Sequence, residues 1–263
     1  MTEVRTSTIT LNGEPCRVLE KGEGAPVGFL AGVKGVPTWL PFLDELAKSR
    51  RVIVPSLPGF PGGAPTVFRA LDDYLDWLAA TLDVLQRAGL TGADLIACSM
   101  SGMLAADIAA LSPATVRRLV LVAPWGLYDT SDPGPDYFAQ VETAQPALLT
   151  SSPEKLASAM RPPADGDPLE WRIEGLRALE AAARLAWPFG DRGLRKRIHL
   201  ITQPSLIVWG EHDRMLPPSY AKRFADGISG PTRVEIVPGA GHECVIDEPE
   251  AVAKHVLAFL DER

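Results

Sequence analysis

One stretch, residues 95–111, restricts this 263-residue chain more than any other. It enters as a short apolar run (Leu95, Ile96, Ala97), passes a cluster of small residues around Ser99, and leaves as an alanine-rich pattern ending at Leu111. Apolar run, small-residue cluster and helical pattern in direct succession predict strand, sharp turn and helix, with Ser99 at the tip of the turn. Small side chains at Ala97 and Ser101, two residues to either side, suit a turn in which strand and helix backbones nearly touch. A serine there is held where a base can reach its hydroxyl, and the helix start directs N–H groups toward developing negative charge. Read alone, the segment also suits a buried helix start capped by Ser99.

The rest of the chain supplies a frame for that turn. Residues 6–10 alternate polar and apolar, Asn12-Gly13 marks a hairpin, and 16–19 reads as the returning strand. Short apolar strands follow at 27–31 and 52–54. Pro37 opens a helix carrying Leu40, Phe42, Leu43 and Leu46. Leu71, Leu75, Leu78, Leu82 and Leu85 recur at helical spacing, with Asp72 and Asp73 in the first turn and Gly89 at the end. Strands at 119–123, 206–209 and 234–237 alternate with helices after Pro218 and over 251–260. Such alternation predicts an α/β fold, a mostly parallel central sheet with helices on both faces. Between 126 and 199 no strand is convincing, prolines recur, and the clearest helix spans 169–186. The core is therefore 1–125 and 200–263, with 126–199 a helical insertion, since structureless loops of that length are uncommon.

Composition excludes several functions. Hydrophobic residues make up 46% of the chain, enough for a substantial core, and the net charge of −7 with no basic stripe argues against a nucleic-acid partner. The cluster Arg192, Arg195, Lys196 and Arg197 reads as a solvated helix end. Three cysteines form no disulfide framework and suit a reducing compartment. Residues 1–10 lack an apolar signal region, and the stretch around Ser99 is broken by serines and Asp107, so a cytoplasmic protein with no membrane partner is expected. No metal and no cofactor is implied: His242 with Cys244 is too few ligands, and the glycines at 59–63 lack a lysine and a strand-to-helix context.

Two later segments raise the weight of Ser99. Residues 204–213 form an apolar strand that ends in Gly210-Glu211-His212-Asp213, and 234–242 form another that ends in a glycine-rich turn carrying His242. Ser, Asp and His, each just past a strand end and in that order, follow the triad order of α/β-hydrolases. The chain resembles the α/β-hydrolase superfamily from about Thr8 to its C-terminus, and in particular serine hydrolases with a helical cap, such as esterases and meta-cleavage-product hydrolases. The resemblance implies that Ser99 is the nucleophile, His242 the general base and Asp213 the acid that orients it. Cys98 and Ser101 are rival nucleophiles by residue type, Glu211 is the alternative carboxylate, and an acid after the earlier strand would fall no nearer than Asp129. His199, His212 and His255 lack the turn that His242 has.

The resemblance further implies an oxyanion hole formed by the backbone N–H groups of Met100 and Val33, the latter in Ala31-Gly32-Val33, where relatives often read His-Gly-x. Ser56 stands where relatives usually carry an aspartate that braces the loop. It also makes 126–199 a cap, with the substrate between cap and triad and an apolar lining from Trp125, Trp171, Trp187 and Phe189. No cluster of lysine or arginine sits near a triad motif except Arg214, which is expected to point to solvent, and this disfavours phosphorylated or strongly anionic substrates. The expected activity is hydrolysis of a small to medium, mainly apolar ester or related carbonyl compound through an acyl-enzyme. The alternatives are a carbon–carbon bond hydrolase of the meta-cleavage-product type, disfavoured by Glu243 where those carry tryptophan, and a non-catalytic ligand-binding member of the fold. A small-molecule substrate is the expected partner, and a homo-oligomer is compatible with the sequence.

Overall fold

Asn12 and Gly13 turn the first hairpin with φ of 47° and 87°, joining β1 (Arg5–Leu11) to β2 (Glu14–Lys21). Two successive positive φ values give the tight turn that matches strand twist, and Asn-Gly tolerates both. The computed structural model describes residues 3–162, 166–187 and 192–262. Six more strands complete the sheet: β3 (Pro26–Leu30), β4 (Arg51–Pro55), β5 (Ala93–Cys98), β6 (Val116–Val122), β7 (Ser205–Gly210) and β8 (Thr232–Val237). Their order is β1-β2-β4-β3-β5-β6-β7-β8. Only β2 runs against its neighbours; every other pairing beyond the hairpin is parallel.

Burial follows position in the sheet. Every residue of the inner strands β5 and β7 is buried, whereas β8, at the edge, leaves Val234 and Ile236 exposed. Strands covered on both faces carry continuous apolar runs, and each fully buried Leu, Ile or Val contributes roughly 1.5–3 kcal/mol of transfer free energy.

The helices are α1 (Pro41–Ala47), α2 (Pro65–Arg69), α3 (Tyr74–Arg87), α4 (Ser99–Leu111), α5 (Gln145–Leu149), α6 (Pro153–Ala159), α7 (Pro168–Ala186), α8 (Ser219–Gly227), α9 (Cys244–Asp247) and α10 (Pro249–Leu260). Two pairs, α1 with α10 and α3 with α4, pack on the sheet. The first helix begins at Pro41 and not at Pro37: both prolines suit a first turn, and the chain stays non-helical through Leu40, which caps the helix in an extended conformation. The start of α3 also differs from expectation. Asp73 is its N-cap, accepting from Leu75 N and Asp76 N at 2.8 and 3.0 Å, and Asp76 reaches back to Asp73 N at 3.2 Å in a reciprocal capping box. Leu75 points to solvent, 68% exposed, so the buried stripe passes through Trp77, Leu78, Thr81, Val84 and Leu85.

Helix α4 is buried from Ser99 to Ala110, which its short side chains permit. It also carries a buried acid, Asp107. The Arg197 guanidinium meets that carboxylate with both arms, Nε to Oδ1 at 2.6 Å and Nη2 to Oδ2 at 2.9 Å, and the Tyr74 hydroxyl donates to Oδ2 at 2.8 Å. The basic cluster is thus no solvated helix end at Arg197. The forked guanidinium fits a carboxylate in two parallel bonds, and an acid inside an alanine-rich helix requires such a partner.

Among the described residues of 123–204, all regular structure is helical. This segment is tied to the loop after β8: Glu243 N donates to Leu149 O at 2.7 Å, Ser151 N donates to Asp247 Oδ2 at 2.9 Å, and the Thr150 hydroxyl and Lys155 ammonium also bond Asp247. Among the described residues, no helix is long and apolar enough to cross a membrane.

Candidate active site

Strand β5 ends at Cys98 in extended conformation and α4 begins at once, which forces Ser99 to φ +53°. A non-glycine residue at positive φ is uncommon and costs on the order of 1 kcal/mol, here sustained by the packing around it. Ala97 and Ser101 are both fully buried, and at Gly102 a Cβ would lie 2.7 Å from Pro124 Cβ.

The turn aims the Ser99 hydroxyl at His242. Ser99 Oγ lies 2.8 Å from His242 Nε2, and His242 Nδ1 lies 2.8 Å from Asp213 Oδ2. The other carboxylate oxygen, Oδ1, accepts from Met215 N and Leu216 N at 2.8 and 2.9 Å, so Asp213 is fixed by its own loop. With the Nδ1 proton directed at Asp213, Nε2 is left to accept from the serine. Burial alone would push the imidazolium pKa down, but the Asp213 charge and hydrogen bond, with the Glu243 charge behind them, outweigh it and hold it above the ordinary 6.5. The His242 loop is braced from below, Gly241 N donating to Asp247 Oδ2 at 2.7 Å.

The rival residues lie elsewhere. The Cys98 thiol is buried, and that burial pushes its pKa well up, away from the reactive thiolate. The Ser101 hydroxyl is buried with no hydrogen-bond partner among the described residues. Glu211 Oε2 takes the Gly239 N–H at 3.0 Å, a loop brace. Asp129 bonds Ser131 and pairs with Arg223. His212 sits half-exposed beside Glu211, and His255 pairs with Glu235. Ser56 ties its loop through Pro61 O at 2.7 Å.

Val33 is fully buried in the loop after β3, where Gly35 N closes a turn on Gly32 O at 3.0 Å. Among the described residues its N–H meets no acceptor. Met100, also fully buried, is in the first turn of α4, where N–H groups have no partner within the helix. Trp125 is buried with its ring 6.5 Å from the His242 ring, and Trp171 donates to Met160 O at 2.9 Å. Trp187 is 55% exposed and its indole N–H donates to Asp136 Oδ2 at 3.3 Å, and Phe189 lies outside the described residues. Arg214 is exposed, as expected.

A cavity of about 380 Å³ opens between the loop after β3 and α7, lined by Lys34, Pro37, Glu142, Met160, Trp171 and Leu179 among others. A small void, bordered by Gly32, Cys98 and Glu243, shares Lys34 and Met160 with it. Lys34 lines both spaces, a single cation and not a cluster. It escaped notice because it follows Val33 in a loop judged only for its backbone. Glu243 was equally missed as a site residue, although its place directly after His242 was the available signal.

The sequence profile of the alpha/beta hydrolase family matches residues 29–255. The dihydrolipoyllysine-residue acetyltransferase component of an acetoin cleaving system from Pseudomonas putida is 31% identical over 247 residues, 90% of this chain but 64% of that protein, so the chain spans less than two thirds of that relative. A monoacylglycerol lipase from Xenopus laevis is 28% identical over 244 residues, 84% of this chain and 71% of its own. The meta-cleavage product hydrolase from Pseudomonas fluorescens IP01 shares the fold, with a TM-score of 0.76 over 97% of each chain at 17% identity. Profile, sheet order and the Ser99–His242–Asp213 contacts agree: this chain belongs to the alpha/beta hydrolase family.

Proposed function

We propose that the protein is a serine hydrolase that cleaves a small to medium, mainly apolar ester through an acyl-enzyme. The observation that carries this reading is the continuous relay from Ser99 Oγ through His242 to Asp213, both links at 2.8 Å. A serine hydroxyl attacks a carbonyl only when a base takes its proton, and His242 Nε2 is the acceptor in place. The Ser99 oxygen adds to the carbonyl carbon as its proton passes to His242. The resulting oxyanion is received by the Val33 and Met100 N–H groups, donors that require no reorientation. Collapse expels the alcohol, which takes the proton from His242. Water then attacks the acyl-enzyme by the same route in reverse, returning the acid and free Ser99.

In this reading residues 126–199 act as a cap that keeps the substrate in the cavity beneath α7. The apolar members of its wall, Met160, Trp171, Leu176 and Leu179, favour an apolar acyl or alcohol group. Carbon–carbon cleavage is the weaker reading, because Glu243 stands where meta-cleavage-product hydrolases carry tryptophan. A purely ligand-binding role would give the intact relay no task.

The test is a panel of p-nitrophenyl esters, neutral and anionic members matched in length. Turnover of the neutral butanoate that vanishes in Ser99→Ala, with a higher kcat/KM for neutral members, is the expected result. Retained turnover in Ser99→Ala would refute the nucleophile, and faster cleavage of the anionic members would refute the apolar substrate.

A further inference from the structure

Beside the proposed nucleophile lies a second group of polar side chains that the hydrolytic steps do not use. A Cβ built on Gly32 would sit 2.8 Å from Glu243 Oε1 and 3.1 Å from Ser99 Cβ, so carboxylate and serine face the same glycine across the oxyanion loop. Glu243 is only 7% exposed, yet among the described residues its carboxylate accepts no hydrogen bond. Lys34 borders the same void and has no hydrogen bond or ion pair within the described residues. The Tyr137 hydroxyl, fully buried and near enough for the Glu243 charge to act on it, is likewise unpartnered.

A nearly buried carboxylate and a half-buried ammonium that open on the same void without a hydrogen bond are costly, and neighbouring side chains normally satisfy such groups. Burial is the largest influence on both, pushing Glu243 up and Lys34 down; at Lys34 the charge of Glu142 and then that of Glu243 oppose it, and at Glu243 the charge of His242 and then that of Lys34 do. A pocket built only for apolar groups would have no use for either. We propose that Glu243 and Lys34 together recognise a hydroxyl group borne close to the scissile carbonyl, so that the preferred substrate is a hydroxylated ester and not a plain alkanoyl one. This deepens the serine-hydrolase reading and rests on it.

The charge balance selects the hydroxyl over its rivals. A hydroxyl donates to a carboxylate and accepts from an ammonium, which answers both unpartnered groups at once. An ammonium on the substrate would meet Lys34 as a like charge, and a carboxylate would meet Glu243 in the same way. The proximity to Gly32 and Ser99 puts the recognised group near the reacting carbonyl, whereas the 380 Å³ cavity beyond Lys34 takes the apolar remainder. A site made to hydrogen-bond a hydroxyl also rejects the analogue that lacks one more strongly than an apolar pocket rejects an extra methylene.

The experiment compares each hydroxylated ester with its own methyl ether, which keeps the acceptor oxygen, removes the donor and adds one methyl group. The pairs are p-nitrophenyl 3-hydroxybutanoate with 3-methoxybutanoate, and ethylene glycol monobutanoate with its methyl ether. Rates are divided by those of hydroxide hydrolysis, and Ser99 occupancy is read in parallel with a fluorophosphonate probe. At least one pair is expected to show a preference of about tenfold or more in kcat/KM for the hydroxyl member, the size of one hydrogen bond to a charged group. That ratio should collapse toward one in Glu243→Leu and fall in Lys34→Met. Ratios near one for both pairs in the labelled, active wild type would overturn the inference alone, as would a ratio unchanged in Glu243→Leu and Lys34→Met. A protein that neither labels nor turns over would overturn the serine-hydrolase reading and the inference with it.

Discussion

Two buried acids in this molecule are treated in opposite ways. Asp107, in the middle of α4, is held by both arms of Arg197 and by the Tyr74 hydroxyl. Glu243, beside the nucleophile turn, is 7% exposed against 0% for Asp107 and has no side-chain hydrogen bond among the described residues. The first cluster joins α3, α4 and the chain entering β7. The second borders a void lined by Gly32, Lys34 and Cys98. A satisfied charge network fixes architecture, while an unsatisfied one held in place by the fold marks a position reserved for something that arrives later.

Substitutions sharpen that contrast. The largest effect is expected in the relay itself. Asp213→Asn keeps an oxygen for the Met215 and Leu216 N–H groups but turns an amide toward His242 Nδ1, which stabilises the wrong tautomer. A loss of about 10⁴ in kcat with an unchanged melting curve is the expected result. Asp107→Ala should instead act on stability, by about 3 kcal/mol in chemical denaturation, because Arg197 is left without its carboxylate. Arg197 is 26% exposed, which limits the penalty to that range. An Asp107→Ala protein as stable as the wild type would erase the distinction between the two acids.

Glu243→Leu should move the other way and raise stability by on the order of 1 kcal/mol, since an unpartnered carboxylate leaves the interior. The pH profile gives a further handle. Catalysis requires neutral His242, whose pKa is raised, so kcat/KM should fall as the pH drops through a value above 6.5. Glu243→Gln removes one of the charges that raise it, and the acidic limb should shift to lower pH. A limb that stays in place would mean that Glu243 exerts no field on the histidine. The smallest effect is expected at Ser101, whose buried hydroxyl has no partner among the described residues: Ser101→Ala should stabilise by less than about 1 kcal/mol with activity retained.

What was legible in the sequence was whatever depends on local periodicity and chain order. The Asn12-Gly13 hairpin, the strand–turn–helix at Ser99 and the histidine turn after β8 each carry their own signature within a few residues. Lys34, Glu243 and the Asp107–Arg197 pair do not. Arg197 reaches an acid ninety positions away, and nothing near either residue announces the other, so a basic run looked like a solvated surface. Lys34 and Glu243 meet only because the loops after β3 and β8 end at the same sheet edge. The start of α1 was misplaced for a different reason: Pro37 and Pro41 are equivalent as local signals, and packing chose between them.

The central claim is that Ser99 is the nucleophile of an acyl-transfer site. Its most direct test is intact-mass and peptide-mapping spectrometry of the folded protein after exposure to a fluorophosphonate. The account requires one adduct, mapped to Ser99 and absent from Ser99→Ala. A folded protein that stays unmodified, or a Ser99→Ala variant labelled to the same extent, would contradict it.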